Sequence, residues 1–369
     1  MYLQGVKLMG AGLKKDGAPI VQRIRGEWTE SVHVGHIAVV DAGGRLLAWA
    51  GDPGRIVWMG SAVNPLAVLP LVLHGVASAS KADDMALALL AGRQQGTVQQ
   101  TSRLDRLLQQ HGIEEAELAL PAVYPLDTKR RMELMCSRQP QRRLYHPAAG
   151  RHIAALVLSR ALGCTQDGYT EPGHPAQQQV MQCVAACASI EEQTLGVAQD
   201  DCGSPALALP LWRLALAYAR LAAPQADGAD AALAAAARRV TAAMNRHPDL
   251  VEGPGRLSAT LLGDANVIAS SVEQGVYAFA LRQQRLGVAV SIADGCGEAL
   301  PLAVAAILES LAATAGPAGP QHADGPRRLA AAVRSSFPAA RLDAMGREIG
   351  RMEALATLSY GERYPRVRF

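Results

Sequence analysis

The sequence predicts a mixed α/β (α+β) fold in which one sheet is built from both ends of the chain and a helical lobe is inserted between them. Strand patterns occur at 32–50 and return only at 265–292 and 347–353, with helical patterns between. A sheet must bury one face, so the economical arrangement joins both sets of strands and packs the terminal helices on them. The expected segments are two parts of an α/β lobe and a mainly helical lobe between them: 1–64, 65–260 and 261–369.

The first strands are predicted from a hairpin pattern at residues 32–50. Two apolar runs flank Asp41-Ala42-Gly43-Gly44, and glycine tolerates the positive φ angles that a tight turn needs. The middle of the chain instead shows the 3.6-residue apolar spacing of helices. These predicted helices are 65–78, 82–92, 101–111, 150–162, 173–188, 205–222 and 229–245. The C-terminal part is predicted as strands 265–271, 275–281 and 287–292, helix 297–313, an exposed loop at 314–326 and a strand near 347–353.

Composition excludes several functional classes. The chain has 369 residues, 49 % of them hydrophobic and 19 % charged, with a net charge of +3. So small a charge argues against a nucleic-acid-binding protein, which needs a concentrated basic face. No apolar run reaches the roughly 18 residues of a membrane span, and the N-terminal region lacks the apolar core of a secretory signal. Six cysteines without a CxxC pair favour a cytoplasmic protein with free thiols, and no membrane association is expected.

Several short motifs follow one another in a specific order. They include ESVHVGHIAVVD at 30–41, SAVNPLAVLP at 61–70, DDCGSP at 200–205 and HPDLV at 247–251. Together they resemble the rhizobial-type bacterial L-asparaginases, with order and spacing in agreement from about residue 27 to residue 353. The resemblance implies a fold like that of serine β-lactamases and serine glutaminases, a site in the cleft between an α/β lobe and an all-α lobe, and a homodimer.

The family's nucleophile pattern is only half present. In a Ser-x-x-Lys pair at a helix start, the lysine amine can take the serine proton. Here Ser61 is followed by Asn64 at the lysine position, and an amide can orient a hydroxyl but cannot deprotonate it. With Pro65 next in the chain, we favour the interpretation that Ser61 caps the helix at 65–78, and keep the nucleophile as the alternative.

Two further catalytic positions of the family carry different residues here. The second serine falls at Arg93, and a further lysine falls at Ser270. Arginine stays protonated and is not a base, but it can hold a carboxylate with two parallel hydrogen bonds. Arg93 is therefore either a substrate-binding residue or a solvated arginine at a helix end. Both lysines that could act as bases are absent.

The metal ligands that the resemblance implies are also replaced. A Cys-Ser-Gly-Lys stretch becomes Ala148-Ala149-Gly150-Arg151, which leaves Cys202 alone. Zinc needs about four N, S or O donors, so neither a metal nor another cofactor is predicted. His146 and His152 can substitute as ligands, although a structural role is the favoured interpretation for each. Cys202 is either a small buried residue or a replacement nucleophile with one of these histidines as its base.

The candidate site therefore combines two groups of residues. The candidate catalytic residues are Ser61, Asn64, Arg93 and Cys202. The candidate substrate-binding residues are Arg93, Arg151, His152, Asp200, Asp201 and Ser270, where Asp200 or Asp201 can anchor an amino group.

Three functions remain open on the sequence. The first is a repurposed family member that acts on or binds a small amino-acid-derived or anionic ligand. The second is a catalytically inactive homologue that serves as a binding or partner protein. The third, ranked last because a nucleophile without its base loses several orders of magnitude in rate, is an L-asparagine amidohydrolase that uses Ser61.

Overall fold

The computed structural model describes residues 17–76, 81–224, 231–313 and 323–361. Its strands are β1 Ala18–Arg25, β2 Trp28–Asp41, β3 Leu46–Ala50, β4 Ile56–Trp58, β5 Gly196–Gln199, β6 Pro205–Pro210, β7 Val267–Ala269, β8 Val276–Leu281, β9 Leu286–Ile292, β10 Ala340–Leu342, β11 Glu348–Ala354 and β12 Ser359–Tyr360. Its helices are α1 Asn64–Ala67, α2 Leu69–Leu73, α3 Lys81–Leu90, α4 Val98–Gln110, α5 Thr128–Cys136, α6 Ala149–Ala161, α7 Pro175–Ala188, α8 Leu211–Ala222, α9 Ala231–Arg246, α10 Pro248–Val251, α11 Leu257–Leu262, α12 Leu300–Ala313 and α13 Asp324–Ser336.

The main sheet joins strands from both ends of the chain, which confirms the predicted architecture. Its order is β10-β11-β1-β2-β9-β8-β7, with β3 paired to β2 and β12 paired to β3. The long strand β2 lies at the centre, where Gly35 to Asp41 pair antiparallel with Ile292 to Leu286 of β9. The helices from α1 to α11 are encoded between these strands, as the chain-wide pattern predicts.

Helix α8 packs against the middle of the sheet, on β2, β8 and β9. The contact is close enough that a side chain on Gly287 of β9 would collide with the carbonyl oxygen of Ala215. Glycine and alanine at this point let the helix and the sheet approach each other, as the Ala-rich, aromatic-poor composition implies. The fully buried Tyr218 on α8 donates a hydrogen bond to the carbonyl oxygen of Ala62, at 2.9 Å. The sheet core is thereby tied to the segment that carries Ser61.

A second, three-stranded sheet of order β4-β6-β5 corrects one prediction. The predicted helix 205–222 is wrong in its first part, since Pro205–Pro210 form β6 and only Leu211–Ala222 are helical. The run PALALP is apolar throughout and nearly all buried, and periodicity alone cannot distinguish a short buried strand from a buried helical turn.

Several other boundaries also differ from the predictions. The predicted helix 65–78 is two short helices, α1 and α2, the second of which has Pro70 in its first turn and ends at Leu73. The predicted loop 314–326 lies mostly outside the described residues, and its last three residues belong to α13. Strand β1 and helices α5 and α13 were not predicted. None of the helices within the described ranges combines the length and apolar character needed to cross a bilayer.

Candidate active site

A cavity of about 500 Å³ lies beside the three-stranded sheet. Its walls come from five parts of the chain: the segment after β4, the loop after α3, the start of α6, the β5–β6 turn and the turn before β8. Most of the sequence-predicted site residues line this cavity: Ser61, Asn64, Arg93, Arg151, Asp200, Asp201 and Cys202. The structure therefore brings together side chains from four distant parts of the chain.

Ser61 donates a hydrogen bond to a carboxylate that the sequence did not predict. Its Oγ lies 2.5 Å from Oε2 of Glu273. Ser61 belongs to a 3-10 turn, Gly60–Val63, and no side-chain hydrogen bond caps this turn or helix α1 after it. The interpretation of Ser61 as a helix cap is therefore wrong, because its hydroxyl points to another part of the chain.

Glu273 reaches Ser61 from a tight turn between β7 and β8. Gln274 and Gly275, which follow it, both have positive φ angles (45° and 73°). Gly60 also has a positive φ, 50°, and a Cβ at that position would lie 3.2 Å from Oε2 of Glu273. These backbone conformations bring the carboxylate against Ser61. The sequence predicted no base beside Ser61 because both family lysines are replaced, whereas the structure has the Glu273 carboxylate there as a hydrogen-bond acceptor.

Arg93 is the second partner of Glu273. Its Nε lies 3.4 Å from Oε1 of the carboxylate, and the two side chains are 24 % and 30 % exposed. The backbone of Arg93 is held firmly: its N–H donates to the carbonyl oxygen of Val251 at 2.8 Å and to Oγ of Ser271 at 3.1 Å. Ser61, Glu273 and Arg93 thus form a chain of three groups along one wall.

Asn64 lines the cavity and also holds the backbone next to Arg93. Its Nδ2 donates a 2.8 Å hydrogen bond to the carbonyl oxygen of Gly92, next to Arg93. The hydrogen bond expected from Asn64 to Ser61 is replaced by this backbone contact. The buried Oδ1 of Asn64 has no hydrogen-bond partner among the described residues.

Another wall of the cavity contains a second arginine–carboxylate pair. Arg151, in the first turn of α6, makes a very close contact with Oδ2 of Asp200. The other oxygen, Oδ1, accepts backbone hydrogen bonds from Cys202 at 2.8 Å and Ser204 at 2.9 Å. Asp200 therefore closes the β5–β6 turn and holds Arg151 at the same time. Asp201 lines the cavity as well and is exposed.

Cys202 and His146 are both kept uncharged. Burial, with Asp200 as a second cause, raises the pKa of the Cys202 thiol to about 11, so it is protonated at neutral pH. Burial and then the charges of Arg93 and Arg151 lower the pKa of His146. Its Nδ1 accepts a hydrogen bond from the N–H of Ala148 at 3.2 Å, which fixes the neutral tautomer with the proton on Nε2.

Two predicted site residues lie outside the cavity lining. His152 is buried, with Nδ1 2.7 Å from the Tyr169 hydroxyl and Nε2 3.3 Å from Oγ of Ser204. Burial, followed by the charge of Arg151, lowers the pKa of His152 to about 3. Ser270 is buried too, and its Oγ accepts the N–H of Ala278 at 3.0 Å. Within the described ranges, no three His, Cys, Asp or Glu side chains are grouped so that they could hold a metal ion.

Comparison with known proteins adds a family assignment to this geometry. The family model described as L-asparaginase II matches residues 21–343. The chain belongs to the L-asparaginase II family. The resemblance drawn from the sequence motifs is thereby confirmed, and the match extends from β1 through β10 of this family member. A comparison with curated proteins gave no match.

Two solved structures are similar over most of their length. A β-lactamase from Mycobacterium bovis is 14 % identical, with 82 % of this chain and 94 % of that chain covered and a TM-score of 0.38. A proposed β-lactamase from Bacteroides dorei is 11 % identical, with 75 % and 86 % covered and a TM-score of 0.37. Scores this low contribute nothing to the assignment, which rests on the family model.

Proposed function

We propose that this L-asparaginase II family member is a serine-dependent acyl hydrolase or acyl transferase for a small amino-acid-derived substrate, rather than a standard asparaginase. The observation that carries the proposal is the 2.5 Å hydrogen bond from Ser61 Oγ to Glu273 Oε2 in the cavity wall. A nucleophile hydrogen-bonded to a base that is itself oriented by a third group is the usual arrangement of covalent catalysis. In the free protein, Arg93 contacts the other carboxylate oxygen of Glu273 at 3.4 Å and so holds this side chain in place before a ligand binds.

The reaction that this arrangement supports has two steps. Ser61 Oγ attacks the acyl carbon while its proton passes to Glu273 Oε2, and the leaving group then departs with that proton. A water molecule next attacks the acyl–serine ester and gives a proton to Glu273, which returns it to Ser61 as the acid product leaves. If another nucleophile replaces water, the same residues transfer the acyl group. Positioned proton transfer of this kind contributes about 10²–10⁴-fold in rate.

Because the proposed base is the Glu273 carboxylate and not a lysine, it limits which acyl groups the site can react with. A carboxylate holds a proton less strongly than the neutral amine of the family's lysines, which are replaced by Asn64 and Ser270 here. We therefore expect activated acyl groups such as esters to react faster than the primary amide of asparagine. A cavity of about 500 Å³ is within the usual size range for a small-molecule ligand, and Arg93, Arg151 and Asp200 supply charges of both signs for an amino-acid-like molecule.

The test compares esters and amides of the same amino acids. Wild-type protein is incubated with aspartate β-methyl ester, glutamate γ-methyl ester, asparagine and glutamine, and the free amino acid is quantified. Ester hydrolysis is expected to fall about 10³-fold or more in Ser61→Ala and about 10²-fold or more in Glu273→Gln. Ser102→Ala, an exposed serine on α4, is the matched control and should keep the full rate.

Two outcomes would contradict the proposal. Ester hydrolysis that is unchanged in Ser61→Ala would remove the serine from the reaction. Ligand binding without turnover of any ester would favour the alternative of an inactive binding protein. The homodimer that the resemblance implies stays part of the proposal. Size-exclusion chromatography with light scattering would measure the molar mass and so test it.

A further inference from the structure

The pair formed by Arg93 and Glu273 is geometrically weak. One N–H, at Nε, reaches the carboxylate, and its 3.4 Å separation is longer than the 2.7–2.9 Å usual for a charge-assisted hydrogen bond. The other guanidinium N–H groups have no hydrogen-bond partner within the described ranges. Both side chains are partly exposed and line the cavity. The edge formed by Nη1 and Nη2, which can make two parallel hydrogen bonds to a carboxylate, is thus not used by Glu273.

The backbone of Arg93 is fixed, so only its side chain is able to move. Its N–H is held by Val251 and Ser271, and any side chain at Gly92 would collide with Val251. Asn64 holds the carbonyl oxygen of Gly92 from the other side. A ligand that engages the guanidinium therefore changes the position of the arginine side chain without rearranging the loop.

We infer that Arg93 selects substrates that carry a carboxylate besides the reacting acyl group, and that this carboxylate draws Arg93 away from Glu273 as the substrate binds. The inference rests on the proposed function. It adds the class of substrate and the residue that regulates the reactive Glu273. A substrate carboxylate can accept two parallel hydrogen bonds from the guanidinium, which replace one long contact. The preferred ligand class is the side-chain ester of an acidic amino acid.

The exchange of partners has a chemical consequence for Ser61. A guanidinium beside a carboxylate stabilises its anionic form and so opposes the uptake of a proton. Once the substrate carboxylate holds Arg93, the Glu273 carboxylate is free of the guanidinium and keeps the hydrogen bond from Ser61. Substrates with the second carboxylate are then bound more tightly and also react faster, whereas substrates without it leave Arg93 in contact with Glu273.

The test uses two esters that differ by a single carboxylate, aspartate β-methyl ester and β-alanine methyl ester. Wild-type protein should hydrolyse the first with a kcat/KM about 10–100-fold higher, since one charged hydrogen-bonding partner is worth roughly 1.5–3 kcal/mol. Arg93→Gln should lower kcat/KM for aspartate β-methyl ester about 10–100-fold, mainly through KM. The same substitution should raise kcat for β-alanine methyl ester several-fold, because Glu273 is released permanently.

Two further variants control for structural damage. Arg93→Lys should recover part of the lost affinity for the aspartate ester, because it restores the charge but not the two-point contact. Arg131→Gln, an exposed arginine on α5, should change neither ester's rate.

The outcomes separate this inference from the proposed function. Turnover that depends on Ser61 but does not distinguish the two esters, or an Arg93→Gln variant that loses both activities equally, would overturn the inference alone. Absence of Ser61-dependent turnover of both esters would overturn the proposed function and the release of Glu273 with it.

Discussion

The cavity presents two arginine–carboxylate pairs that differ in what else holds them. On one wall, the Asp200 carboxylate is held by Arg151 on one oxygen and by two backbone N–H groups on the other. On the other wall, Glu273 is held by Arg93 through one long contact and by the hydroxyl of Ser61. The same two residue types therefore make a rigid support in one case and an adjustable, reactive group in the other.

The difference shows that charge pairing alone does not assign a role to a residue. Asp200 closes its own turn, so its lone pairs are largely committed before any ligand arrives. In contrast, Oε2 of Glu273 accepts a hydrogen bond from the Ser61 hydroxyl, which can give up its proton. Within the described residues, no backbone N–H donates to the Glu273 side chain. The wall with Asp200 is suited to position a ligand, whereas the wall with Glu273 is suited to react with it.

The largest expected effect is on stability and concerns Asp200. Replacement by alanine removes the acceptor of two backbone hydrogen bonds and leaves Arg151, which is 17 % exposed, without its counter-charge. We expect Asp200→Ala to lower the free energy of unfolding by about 2–3 kcal/mol, measured by urea denaturation. Asp201→Ala, at the exposed neighbouring position, is the matched control and should stay within about 0.5 kcal/mol. A similar loss of unfolding free energy in both variants would show that any polar side chain in the turn stabilises it, and that the Asp200 hydrogen bonds are not responsible.

The second prediction concerns the thiol of Cys202, which lies beside Asp200 in the β5–β6 turn. Since the pKa of Cys202 rises from an ordinary 9 to about 11, its thiolate fraction at neutral pH is about 100-fold below that of an unperturbed thiol. Alkylation by iodoacetamide should therefore be about 100-fold slower and should accelerate about tenfold per pH unit until pH approaches 11. Peptide mass spectrometry can follow it beside the exposed Cys136 as an internal reference.

A fast reaction of Cys202 at pH 7 would instead mean that it is a thiolate. The wall with Asp200 would then be the reactive one, with Cys202 as the nucleophile, and the difference between the walls would be reversed. Replacement of Asp200, whose negative charge is the largest charge effect on the Cys202 pKa, offers a check. Asp200→Asn should lower the Cys202 pKa, so that the alkylation rate reaches its plateau at a lower pH.

The fold was largely predictable because long-range pairing follows from long, strongly patterned segments. The hairpin at 32–50 and the late strand pairs share one sheet as expected. The strand β6 was missed because PALALP has no alternation of apolar and polar residues to distinguish it from helix. Helix α5 was missed because it buries Leu134 alone among its residues and so lacks an apolar face in the sequence.

The site was less predictable than the fold, and for two physical reasons. Adjacent positions in a helix point about 100° apart, so Arg151 faces the cavity while His152 turns into the core with Tyr169. Glu273 reaches Ser61 through two residues with positive φ angles, and one of them, Gln274, is not a glycine. A turn of this kind has no reliable pattern in the sequence. The sequence signal that could have indicated Glu273 is a carboxylate placed directly before Gln274-Gly275 and the buried strand β8.

The smallest expected effect is the interaction energy within each pair, measured by double-mutant cycles of unfolding free energy. For Arg93→Gln and Glu273→Gln the coupling should be below about 1 kcal/mol, as for partly exposed ion pairs with a single contact. For Arg151→Gln and Asp200→Asn it should be clearly larger, since the contact is close and the neighbouring backbone is ordered by it. A low coupling is what a movable arginine requires, because a ligand carboxylate can shift Arg93 only if its contact outweighs the one with Glu273. Equal couplings in the two pairs would mean that both walls are rigid, and Arg93 would then stay on Glu273 whether or not a carboxylate is bound.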